Sequence, residues 1–162
     1  MPDKIIEIKS CTLASPGRLN RLPTECLVLS KMRNSSESLQ PKLWQGIWDT
    51  GATGSCITQR IVEDLQLIPI GKSQISTANG LKTVNTYLVD IGLPNNVIIS
   101  NVVVSCADLG KDLDLLIGMD IIGLGDFAIT NVNGRTTFSF RLPSICVIDF
   151  NNTQEPYKQL IK

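Results

Sequence analysis

The residues best suited to chemistry in this chain are the run Trp48-Asp49-Thr50-Gly51-Ala52. An apolar stretch containing Leu43, Trp44, Ile47 and Trp48 leads into it, and the small residues Thr53-Gly54-Ser55 follow. An aspartate delivered at the end of a buried strand, inside a turn of small residues, is held rigidly enough to work in a cleft as an acid or a base. Asp-Thr-Gly is also ordinary turn chemistry, so the run takes its weight from the apolar residues before it and Ala52 after it. The arrangement occurs once. If Asp49 is catalytic, its partner carboxylate has to come from a second copy of the chain.

Other chemistries are poorly supplied. There is no histidine, which removes Ser-His and Cys-His nucleophiles and most zinc sites. Cys11, Cys26, Cys56, Cys106 and Cys146 are scattered without a C-x-x-C pair, as expected of free thiols in a reducing, cytoplasmic setting. Cys56 lies close to Asp49 in sequence but reads as a buried, inert thiol. Asp120 is expected to cap a short helix. Asp112, Asp114 and Asp126 read as strand-edge or turn acids rather than a metal cluster, and Trp44 and Trp48 as core or pocket wall. Neither a metal nor a cofactor is expected.

Lys+Arg and Asp+Glu both number 15, and no basic run stands out. Nucleic acid and membrane surfaces are therefore not expected partners. The N-terminus lacks an apolar signal-peptide region, and no stretch approaches the roughly 18 apolar residues of a membrane span. A chain of 162 residues, 43% hydrophobic, is most simply one domain with a real core.

The elements that must carry Asp49 are mainly strands, because apolar residues alternate along the chain and long helical periods are scarce. Strands are predicted at 24–31, 43–48, 97–105 and 114–117, with Asn34 to Ser38 a polar connector. Ile61, Val62 and Leu65 are spaced for a short helix over 59–67, stopped by Pro69. A hairpin over 74–91 turns at Ala78-Asn79-Gly80, and a last one over 127–140 turns at Asn133-Gly134. Asp120 would cap a helix over 121–124 that Gly125 ends.

Ile47-Trp48-Asp49-Thr50-Gly51-Ala52, followed in order by Leu115-Leu116-Ile117-Gly118-Met119-Asp120, resembles the retropepsin-like aspartic proteases. The resemblance spans about Thr24 to Thr130 and includes an Asn-Gly hairpin between the two motifs. It is strongest toward free-standing bacterial members, which often show Ile-Gly-Met-Asp and Gly-Asp-Phe-Ala in this region. It implies an all-β fold, a retropepsin-like acid-protease half-barrel with one or two short helices, active as a homodimer on peptide or protein substrates. Asp49 would be the catalytic carboxylate and Thr50 would bond across to the partner chain. Gly51 would admit the substrate backbone, with Ala52 packing beneath. Ala78, Asn79 and Gly80 would tip a flap over the substrate, and Ile117-Gly118 would floor the Asp49 turn.

Many viral members place an acidic residue after Asp-Thr-Gly-Ala, paired with an arginine after the later glycine. This chain has Thr53 and Met119 there, so both partners are missing together. The terminal strand that zips viral dimers has no evident counterpart, and the segment Phe127 to Phe140 would replace or block it. The resemblance divides the chain into an N-terminal segment 1–23, an extra strand or a regulatory arm, a protease domain 24–143 and a tail 144–162. Two rivals stand beside the protease: a catalytically silent module of the same fold that dimerises or binds peptide, and a precursor whose segment before Thr24 masks the cleft.

Overall fold

The computed structural model describes residues 7–31, 40–77 and 80–151. Their strands are β1 (Lys9–Ala14), β2 (Leu22–Ser30), β3 (Leu43–Trp48), β4 (Cys56–Ile57), β5 (Gly71–Thr77), β6 (Gly80–Leu93), β7 (Val97–Cys106), β8 (Leu115–Ile117), β9 (Asp126–Thr130) and β10 (Thr137–Leu142). Two short helices interrupt them, α1 (Gln59–Asp64) and α2 (Met119–Ile122). Neither is long or apolar enough to cross a membrane.

Hydrogen bonding runs β2-β3-β8-β4-β7-β6, and β6 then pairs back with β2, closing a six-stranded barrel. Closure removes the edges that an open sheet would expose. The β3–β8 and β4–β7 pairs are parallel and the rest antiparallel. Outside the barrel, β5 extends β6 as a hairpin arm. A separate three-stranded sheet, β1-β10-β9, packs alongside.

The alternation seen in sequence points one row of each strand inward. Ile57, Val89, Ile91, Val97, Val104, Leu115 and Ile117 are all wholly buried. Each such side chain contributes about 1.5–3 kcal/mol by leaving water. Trp48 joins the barrel to the second sheet. Its ring lies 5.8, 5.1 and 4.8 Å from those of Phe127, Phe138 and Phe140, in tilted contacts that aromatic pairs favour. The residue preceding Asp49 is thereby fixed from both layers.

Several local expectations need correction. The first helix ends at Asp64, because Gln66 enters the left-handed region (φ 51°) before Pro69 is reached. The second helix starts at Met119 with Gly118 as its N-cap and Gly123 as its C-cap. Asp120 therefore sits inside the first turn and does not cap it. Asp114, at the edge of β8, is 2% exposed, pairs with the Arg60 guanidinium and accepts from the Gln45 N–H at 3.1 Å. The Asn34–Ser38 connector falls outside the described residues.

Candidate active site

The Asp49 turn is built by backbone bonds from two directions. Trp48 pairs with Ile117 in the parallel β3–β8 ladder, and the Asp49 N–H donates to the Ile117 carbonyl at 2.9 Å. The chain then bends sharply. The Gly51 N–H donates to Asp49 Oδ1 at 2.8 Å, and the Ala52 N–H donates to the Asp49 carbonyl at 3.3 Å. These bonds fix both the height of Asp49 above the barrel and the rotation of its carboxylate. Gly51 suits its place because a Cβ there would stand 3.1 Å from Asp49 Oδ1.

The floor of the turn is the β8–α2 junction. Ala52 and Thr53 carbonyls accept the N–H groups of Met119 (2.8 Å) and Asp120 (3.1 Å), two of the donors a helix start leaves free. Gly118 lies directly beneath. A Cβ on it would come within 2.7 Å of Gly54 C, 2.8 Å of Gly54 O and 3.0 Å of Ala52 O, so only glycine allows this approach.

A side-chain clamp locks the two segments together. Asp120 accepts from the Ser55 N–H (3.0 Å, Oδ2) and the Ser55 hydroxyl (2.7 Å, Oδ1). The same Ser55 hydroxyl, buried to 2% exposure, accepts from the Gly118 N–H at 3.0 Å. Sequence reading missed this role for Ser55 and Asp120. The clamp also shows how the chain manages with Thr53 and Met119 where many viral members have an ion pair: backbone bonds and one carboxylate join the same segments.

Asp49 is half-buried and opens into a groove of about 430 Å³ that it lines with Thr50, Arg21, Leu22, Phe127 and Ile129 among others. It is the one carboxylate on that groove among the described residues. The segment leading to β2 lines one side of the groove through Leu19, Asn20, Arg21 and Leu22. Thr136, 1% exposed, holds it through its N–H to the Gly17 carbonyl (3.1 Å) and its hydroxyl, which accepts from the Leu19 N–H (2.9 Å). Of the expected flap tip, Gly80 opens β6 with φ 102°, while Ala78 and Asn79 lie outside the described residues.

Cys56 and Cys26 are poor nucleophiles. Burial raises the Cys56 thiol above its ordinary range, with the nearby Asp120 charge adding to it, and burial pushes Cys26 up to about 12. Among the described residues no group of three or more His, Cys, Asp or Glu is placed to hold a metal ion.

Residues 43–121, which carry the Asp49 turn, its floor and the clamp, match the aspartyl protease family. The chain has the retropepsin-like fold. Its fold is similar to that of a retropepsin-like aspartic protease from Rickettsia conorii, with a TM-score of 0.53 and 14% identity over 83% of this chain and 95% of that one. The foamy viral protease-reverse transcriptase, solved in complex with an RNA/DNA hybrid, gives a TM-score of 0.47 and 21% identity over 65% of this chain. This retropepsin-like chain spans only 12% of that protein's length. The simian foamy virus (mac) protease gives 0.43 and 20% over 62% of this chain and 91% of that one. No curated protein matches the chain.

Proposed function

We propose that this chain is an aspartic endopeptidase that works as a homodimer, with one Asp49 from each subunit activating water. The observation that carries the reading is the fixed carboxylate itself. Asp49 is oriented by the Ile117 carbonyl and the Gly51 N–H at the mouth of a groove holding no other acid among the described residues. A lone carboxylate so placed is half of an acid–base pair.

Two such carboxylates brought to about 3 Å share one proton, because both cannot ionise side by side. The ionised one takes a proton from water as it attacks the peptide carbonyl, and the protonated one donates toward the carbonyl oxygen. The roles then reverse for the leaving amine. Thr50, exposed next to Asp49, bonds across to the partner turn. Gly51 and Ala52 line the approach of the substrate backbone, and Ala78, Asn79 and Gly80 tip the flap. The peptide is held extended, as an added strand between flap and floor.

Cleavage of a diverse peptide pool from about pH 4 to pH 8, wild type beside Asp49→Ala, tests the reading. Wild type is expected to cut with a bell-shaped pH profile belonging to the pair, and the variant not to cut. Cuts that persist in Asp49→Ala would remove Asp49 from the mechanism. A folded, dimeric wild type that cuts nothing would favour a silent binding module.

A further inference from the structure

Among the described residues, a strand edge beside Asp49 lacks a neighbour. In the three-stranded sheet β10 lies between β1 and β9, so each outer strand presents one edge. The two edges differ. β1 borders a groove on the far side, shared with Pro23, Thr24 and Pro94, and the Asn95 side-chain amide donates to the Ser10 carbonyl at 3.3 Å. β9 faces the Asp49 side, where Phe127 and Ile129 line the same groove as Asp49 and Thr50. Among the described residues, the backbone of Asp126–Thr130 bonds only within its ladder with β10.

Exposed edges are ordinarily blunted by charge, proline or a covering segment. Among the described residues, β9 shows none of these along its edge beyond Asp126. Its single charge, Asp126, is engaged by Arg141, the Ser144 hydroxyl and the Ile145 N–H. The rest, Phe127-Ala128-Ile129-Thr130, is uncharged, and Ile129 is 45% exposed. In the described part of the following tail, Ile148 packs near Ser10, Ala128 and Ser139, on the face of the sheet opposite the Asp49 groove.

We infer that this edge docks a second copy of the chain, β9 pairing antiparallel with the partner's β9 about a two-fold axis. The two three-stranded sheets then join into one of six strands. The inference rests on the two-carboxylate reading above and specifies the interface that reading requires. A two-fold contact is self-complementary, and an antiparallel strand pair satisfies it with identical sequences. Trp48 ties the edge to the chemistry: its ring packs on Phe127, and Asp49 follows it in the chain. The segment expected to replace or block the viral zipper is assigned to replacing it.

Single cysteines at Ala128, Ile129 and Thr130, in a Cys146→Ser background, test the edge by mild oxidation. A control cysteine goes at Ile98, an exposed position on β7. A disulfide needs Cα atoms within about 4.4–6.8 Å, so self-pairing predicts a linked dimer at the position nearest the two-fold axis and none at Ile98. Ile129→Lys sets two like charges against each other and should weaken self-association by about a hundredfold or more in sedimentation. If that variant misfolds by circular dichroism, the cysteine series decides alone. Dimers that form in Ile129→Lys as in wild type, with no β9 cross-link, overturn the edge while leaving a two-carboxylate protease built on another interface. A wild type that stays monomeric at its highest soluble concentration overturns both readings. A β9-linked dimer that cuts no peptide upholds the edge and counts against the proposed reaction.

Discussion

Asp49 is the residue that the sequence exposes most readily, because its signal is local: an apolar strand end, a turn and small neighbours adjoin in the chain. Its clamp is not legible in the same way. Asp120 meets Ser55 across 65 positions, and no local pattern distinguishes a clamp from a helix cap at the head of a short helix. Asp120→Ala strips Ser55 of two bonds and leaves a buried hydroxyl to seek another acceptor. The expected cost is about 1–3 kcal/mol in urea unfolding, together with lower kcat as the turn loosens. Asp120→Asn, which retains an acceptor oxygen, should lose less of both. Gly118→Ala drives a Cβ against the Gly54 and Ala52 backbone. It should cost about 1–3 kcal/mol and most of the activity, measured by the same unfolding curves and by peptide cleavage.

Strands were legible wherever one face is buried: β3 was predicted at its observed bounds, and β2 and β7 within a residue or two. β1 is legible only as one of two readings of segment 1–23, since Lys9–Ala14 is short and its role depends on pairing with Thr137–Leu142 at the other end of the chain. The C-terminal latch is non-local too. The Ser144 hydroxyl, the Ile145 N–H and Arg141 together hold the Asp126 carboxyl well below the ordinary carboxylate range. A carboxyl lowered on folding stabilises the protein above its unfolded value of about 4, and that contribution drains as pH falls through the folded value. Asp126→Asn should therefore lower the thermal midpoint at neutral pH. The gap to wild type should close at strongly acidic pH, and a gap independent of pH would show that the carboxylate charge is not what holds the tail.

At the scale of the whole molecule, the sequence indicates a β-rich fold with a flap-like arm but not how the barrel closes. Closure requires β6, Gly80–Leu93, to pair with β5, β7 and β2 at once, and its length is the one hint of that. On the proposed reading the site is larger than one chain, for among the described residues Asp49 is the one carboxylate on its groove. Subunit mixing measures that directly. Wild type is titrated with Asp49→Asn at constant total protein, under conditions where subunits exchange, and cleavage is followed. Two-carboxylate catalysis predicts that activity falls as the square of the wild-type fraction, because mixed dimers hold only one ionisable Asp49. A linear fall would mean that each subunit cleaves alone, and would contradict the account.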